Sequence, residues 1–217
     1  MPIDPNKSIP SEFVEKLVGE HEKVRPLASP LARTSLWFMC MILVNFLALR
    51  LVQEFRPGCY LQLLQNKRFL FEIFTALTAS SLLAFASLAA TIPGGQTGKG
   101  FNVLTISVFA SFILFLILGF FLASPTTSTI GSRPHCDIQV LILGLISAVA
   151  FFTLIKKGYF RATFGRITLI ILSSALVPAA LMQLACMYGP WHGLFFHFGP
   201  ILIIVLLGAV PLVLKIL

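Results

Sequence analysis

The side chains best suited to chemistry in this 217-residue sequence are thiols and imidazoles. His135 directly precedes Cys136, His192 follows Cys186 by six residues, and His197 comes five residues later. Thiolate and imidazole together suit soft or borderline metals such as zinc, copper or cadmium. A thiol whose pKa is lowered beside a histidinium is also a target for oxidants. A transition or heavy metal ion, or an oxidant, is therefore what these residues could meet. No C-x-x-C and no close zinc-ligand pair is present, so the group exists only if the fold gathers distant segments. A plainer account is that Trp191 and His192 mark a membrane headgroup boundary, where such side chains are common. Enzyme signatures are missing: there is no H-E-x-x-H, no Walker loop and no pair of carboxylates within an apolar stretch, so the chain reads as a non-enzyme.

The elements that must position these residues are apolar. Hydrophobic residues make up 57% of the chain and charged residues only 11%, against roughly 45–50% and about 25% in a soluble domain. A bilayer core of about 30 Å needs about 20 apolar residues in helix, and six segments approach that length: 34–53, 69–92, 101–123, 138–155, 167–186 and 194–214. The expected fold class is an all-α integral membrane protein, a six-helix transmembrane bundle with a short N-terminal amphipathic segment in the cytoplasm. Two parts follow, a cytoplasmic segment over 1–33 and a membrane domain over 34–217. No secretory signal peptide is expected, because the first apolar run begins only after Arg33 and is long enough to span. Glu72 is the one acid within an expected span and, near a helix end, reads as structural.

Lys and Arg are distributed unequally between the two sides of that arrangement. One side receives eleven (Lys7, Lys16, Lys23, Arg25, Arg33, Lys99, Lys156, Lys157, Arg161, Arg166 and Lys215), the other five (Arg50, Arg56, Lys67, Arg68 and Arg133). The positive-inside rule then places both termini in the cytoplasm of a bacterial inner membrane. The basic residues form no continuous stripe, so direct nucleic-acid binding is not expected. Cys40 falls within the first span and is expected to be a small buried hydrophobe. Cys59, Cys136 and Cys186 fall on the outer side, in a compartment that permits disulfides.

Before the first span lies a short amphipathic pattern. Ser11 suits an N-cap, Phe13, Val14, Leu17 and Val18 share one face, and Glu12, Glu15, Lys16 and Glu20 occupy the other. An interfacial anchor is one role for such a helix. Its glutamates disfavour an anionic lipid surface and point to a protein partner with a basic, hydrophobic groove.

Three short stretches carry a family resemblance: Pro134-His135-Cys136, Leu184-Ala185-Cys186, and the run from His192 to Gly199 with His197 inside it. Taken in order, they resemble the NrsF family (negative regulator of sigma F), six-helix bacterial membrane proteins that act as anti-sigma factors for extracytoplasmic-function sigma factors. The resemblance covers nearly the whole chain, including a polar N-terminal segment with a proline, here Pro26. It implies that Cys136 and Cys186 are signal-sensing thiols accompanied by His192 and His197. It also implies that the N-terminal segment, with Glu12, Phe13, Glu15, Leu17, Val18 and Glu20, holds the sigma factor. One departure is the segment 187–191, Met-Tyr-Gly-Pro-Trp, which offers no carboxylate where the family tends to be acidic. The ligation it implies is therefore by thiol and imidazole, with His135 available. The competing expectation is a small-solute or metal transporter, or a subunit of one, using the same residues as entry ligands. That would require polar groups along a path through the bundle, and Asn45, Glu72 and Gln183 are scattered.

Overall fold

A computed structural model describes residues 27–52, 54–95, 97–121, 131–159, 163–187 and 189–214. Among these the structure is helical throughout, without strands. The helices are α1 (Pro30–Val52), α2 (Cys59–Gln65), α3 (Lys67–Ala89), α4 (Lys99–Phe121), α5 (Cys136–Ile155) and α6 (Phe164–Ala185). The last, α7, runs through Pro190–His192, a π-helical turn Gly193–Phe198, and Gly199–Leu214. Five of them, α1, α3, α4, α5 and α6, are long and apolar enough to cross a membrane. The expected sigma-binding residues Glu12, Phe13, Glu15, Leu17, Val18 and Glu20 lie outside the described residues.

Local chemistry sets the helix starts a few residues ahead of the apolar runs. Ser29 Oγ accepts from the Ala32 N–H at 3.2 Å, and Pro30 supplies a fixed φ at the first helical position. Asn66 accepts from Phe69 N–H at 3.1 Å, and Thr163 from Arg166 N–H at 3.4 Å. Each is an N-cap satisfying a backbone donor that no carbonyl in the helix can reach.

The central helix is α6. In its most apolar stretch 78% of the residues are buried, against 17% in α4. It packs mainly on α3 and α5, and also on α7 and α1. Small residues make this possible. Ala76, Ala79, Ser80 and Ala84 of α3, Gly144, Ser147 and Ala148 of α5, and Ser173, Ser174, Ala175, Ala179 and Ala180 of α6 are all buried. Ser80 Oγ donates to Ser173 O at 2.6 Å, and an added Cβ on Gly144 would stand 3.6 Å from Ala175. Close backbone approach and interhelical hydrogen bonds are what hold helices together where the surroundings are as apolar as the core. Large apolar residues such as Leu36, Leu43, Ile106 and Val149 point outward.

The expectation that Cys40 is buried fails: its side chain is exposed. The inward stripe of α1 is Arg33, Thr34, Trp37, Met41, Asn45 and Leu49, a three-and-four spacing that leaves position 40 on the outer face. Along this stripe Trp37 Nε1 donates to Ser147 O at 3.2 Å, and Asn45 Nδ2 to Ser147 Oγ at 3.3 Å and to Met41 O at 2.7 Å. Arg33, counted above among the basic residues of the cytoplasmic side, is buried and donates to Leu88 O and Thr91 Oγ1. Tyr159 N–H donates to Thr91 O at 2.9 Å, so this end of the bundle is tied across α1, α3 and the turn after α5.

Candidate metal centre

At the opposite end four ligand atoms converge. Cys136, Cys186, His192 and His197 each offer one donor, and all four donors lie within 4.8 Å of one another. Cys136 opens α5, following His135, which adopts left-handed φ 57°. Cys186 terminates α6 and returns its N–H to Met182 O at 2.8 Å. His192 Nε2 lies 3.4 Å from Cys136 Sγ and 3.2 Å from Cys186 Sγ.

The π turn explains how two histidines five residues apart share one site. In an α-helix residues are rotated by about 100° each, so positions five apart point about 140° away from one another. A π turn closes i→i+5 hydrogen bonds and stacks such positions one above the other. Gly199 N–H donates to Leu194 O in that pattern. The rings of His192 and His197 consequently meet edge to face, with centroids 4.9 Å apart. Phe196 stacks on His192 at 4.9 Å, and Trp191 packs against Phe120 at 4.7 Å and Phe195 at 5.7 Å, bracing the start of α7.

The donor set suits a tetrahedral thiolate–imidazole site. Bond lengths of about 2.3 Å to sulfur and 2.0–2.1 Å to nitrogen put neighbouring donors about 3.3–3.8 Å apart; the two distances from His192 to the sulfurs, 3.4 and 3.2 Å, are close to this, and all four donors lie within 4.8 Å. Both ring nitrogens of His197, which is buried, lack hydrogen-bond partners. A buried imidazole in that condition is short of a proton donor or a ligand, and a bound cation would supply one. All four cysteines are free thiols.

Arg133, which sequence reasoning placed only as an outer-side charge, proves to be the buried neighbour of this group. Its guanidinium donates to Leu49 O at 3.1 Å, Glu54 O at 2.9 Å and Ala185 O at 3.1 Å. Leu49 and Ala185 belong to the last turns of α1 and α6, whose carbonyls have no partner within their own helices. Arg133 therefore caps two helix C-termini at once, where a cation is also favoured by the helix dipole. Desolvation lowers its pKa from the ordinary value, while Cys186 and Cys136 act to raise it. Just past the end of α6, the Cys186 thiol is held below its ordinary range, first by the hydrogen bond from Cys136 and then by that from His192, against the effect of burial.

His135, although next to Cys136 in sequence, is exposed and stands outside the converging four. Cys59 is buried at the start of α2 and is likewise not among them. Glu72 is buried and pairs with Arg68 at 2.8 Å. Two further basic residues of this end are engaged too. Arg50 pairs with Glu54 at 3.3 Å, and Arg56 donates to Gln62 and lies over the Phe69 ring at 5.6 Å. Gly131 makes that packing possible: its φ is 83°, and a Cβ there would come within 2.6 Å of the Arg56 stem.

Comparison with family models, with curated proteins and with solved structures yields no match.

Proposed function

We propose that this chain is a membrane-bound anti-sigma factor of the NrsF type. Its N-terminal segment sequesters an extracytoplasmic-function sigma factor in the cytoplasm. It releases that partner when Cys136, Cys186, His192 and His197 take up a metal ion or the two thiols are oxidised outside. The convergence of these four side chains at one end of the bundle carries the reading. The opposite end is where α1 leads back toward residues 1–26, so input and output lie at different ends of the same helix.

In this proposal α7 is the sixth span and both termini are cytoplasmic. Arg50, Arg56, Arg68 and Arg133, four of the five basic residues assigned to the outer side, are buried or paired with acids. Their presence there conflicts less with the positive-inside rule than their number suggests. The physical link from site to output is Arg133, which joins the loop carrying Cys136 to the C-terminal ends of α1 and α6. Drawing the four donors together shifts α5 and α7 against α6, and Arg133 passes that shift to α1. Taking the bound state from 99:1 to 1:99 requires about 5.5 kcal/mol of differential binding. Structural thiolate–imidazole zinc sites supply about 10–16 kcal/mol, so a fraction of such a binding energy is enough.

The test is co-purification from native membranes. A sigma factor should accompany the full chain and be lost when residues 1–26 are deleted. The C136S/C186S chain should still capture it but no longer release it to metal or oxidant. Capture that survives the deletion, or release that survives the double substitution, refutes the proposal. A transporter would show neither the capture nor its dependence on 1–26.

A further inference from the structure

Two buried side chains beside the thiols carry polar atoms without hydrogen-bond partners, His197 at both ring nitrogens and Gln183 at Oε1. They are 1% and 3% exposed, and native interiors leave few such groups unmet. Both line one small chamber, together with Arg68, Glu72 and Gly193. It measures about 10 Å³, the space of a single water, and it offers the several polar partners that a buried water requires. Cys136, Cys186 and His192 do not line it. The chamber therefore backs His197 from a side the thiols do not occupy.

The two nitrogens of an imidazole diverge from opposite edges of the ring. A nitrogen turned toward the sulfurs leaves the other facing away, and histidine ligands almost always donate that second N–H to a carboxylate, a carbonyl or water. Glu72 is already drawn to Arg68 at 2.8 Å, whereas the Gln183 carbonyl oxygen is unclaimed. We infer that Gln183 is a positioning residue for His197. Through one water in this chamber its Oε1 accepts from the protonated ring nitrogen, fixing the tautomer whose lone pair faces Cys136 and Cys186. Gln183 lies in the last turn of α6, three residues before Cys186. One helix end thus sets both a thiol and the orientation of its histidine partner. The inference rests on the metal-binding reading proposed above and extends it to the groups behind the ligands.

The full chain in nanodiscs, titrated with Co²⁺ and followed by its thiolate charge-transfer and ligand-field bands, tests this. Substituting Gln183→Met, which keeps the volume and removes the acceptor, should weaken Co²⁺ binding about 10- to 100-fold and alter the ligand-field bands. Gln183→Glu, which keeps an acceptor oxygen, should restore affinity to within a few-fold of the parent. Parental affinity and spectrum in the Gln183→Met chain overturn the positioning role while leaving the site intact. Equal weakening by Met and Glu overturns it as well, since loss of fit rather than of an acceptor would then be responsible. Absence of thiolate bands in the parent chain overturns the metal site itself and the inference with it.

Discussion

Replacing Arg133 with alanine removes one side chain and strips three backbone carbonyls of their donor, at Leu49, Glu54 and Ala185. Hydrogen bonds to a charged group contribute about 1.5–3 kcal/mol each, so the gross loss is about 4.5–9 kcal/mol. Against it stands the desolvation of a buried guanidinium, several kcal/mol that the alanine chain no longer has to meet. The expected net cost is about 2–4 kcal/mol, falling on the junction of α1, α5 and α6 rather than on the whole bundle. At about 1.4 kcal/mol per tenfold, the open form of this end becomes about 30 to 700 times more populated. Maleimide labelling of Cys136 and Cys186 in membranes, in a chain with Cys40 and Cys59 replaced by alanine, reads that population directly when closing is fast. The alanine variant should label faster by that factor. Arg133→Lys should fall between, because an ammonium keeps the charge without the planar fork that reaches several carbonyls together. Labelling of the alanine variant at the parental rate would show that the guanidinium does not clasp these helix ends.

Two further outcomes follow from the same structure. A Cβ on Gly158 would stand 2.8–3.0 Å from three atoms of Thr91, so Gly158→Ala should cost about 1–3 kcal/mol by overpacking. It should lower the thermal midpoint of the detergent-solubilised chain, and an unchanged midpoint counts against the close contact. The second concerns pH. Because Cys186 is held below the ordinary thiol value first by Cys136 and then by His192, its thiolate is expected to persist at pH values where a free thiol, with pKa about 8.5, is protonated. His192→Phe removes a partner of the thiolate and should raise the pH midpoint for alkylation of Cys186 in the metal-free chain. A downward shift would reverse the assigned role of His192.

Helices and their approximate limits are legible in the sequence because twenty apolar residues without charge have few alternatives to a long helix. Residues 138–155 were expected and Cys136–Ile155 is observed; for 167–186 the helix is Phe164–Ala185. The offsets arise where polar caps such as Thr163 add a turn that hydropathy does not register. Which face of each helix turns inward is far less legible. Lipid and core are equally apolar, so Cys40 looks the same as a buried residue until the small and polar stripe of α1 is traced from Trp37 to Leu49. Arg133 shows a second limit. A lone arginine in a polar loop reads as solvated, and only the three-dimensional meeting of two helix ends gives it carbonyls to bind. The helix Cys59–Gln65 was not foreseen either, being too short for periodicity to distinguish it from a loop.

The four converging side chains were partly visible as a list. Cys136, Cys186, His192 and His197 were singled out by type and order, and the structure gathers them. His135 was singled out on adjacency alone, yet the left-handed turn at that residue sends it away from Cys136. His197 was the hardest to place, since its distance from His192 suits no single face of an α-helix.

That distance gives the site an asymmetric sensitivity to residue count. Removing any one amino acid from 193–196 would leave hydropathy and charge almost untouched, and the helix could close with ordinary i→i+4 bonds. His197 would then stand four places after His192, about 40° around a regular helix, so the two rings would still share one face. Phe198 and Ile201, now buried, would keep nearly their present seats, because the π turn already absorbs the extra residue. Adding a residue instead would turn His197 and everything after it by about 100°. An insertion between the two histidines is therefore the change of length most damaging to the site.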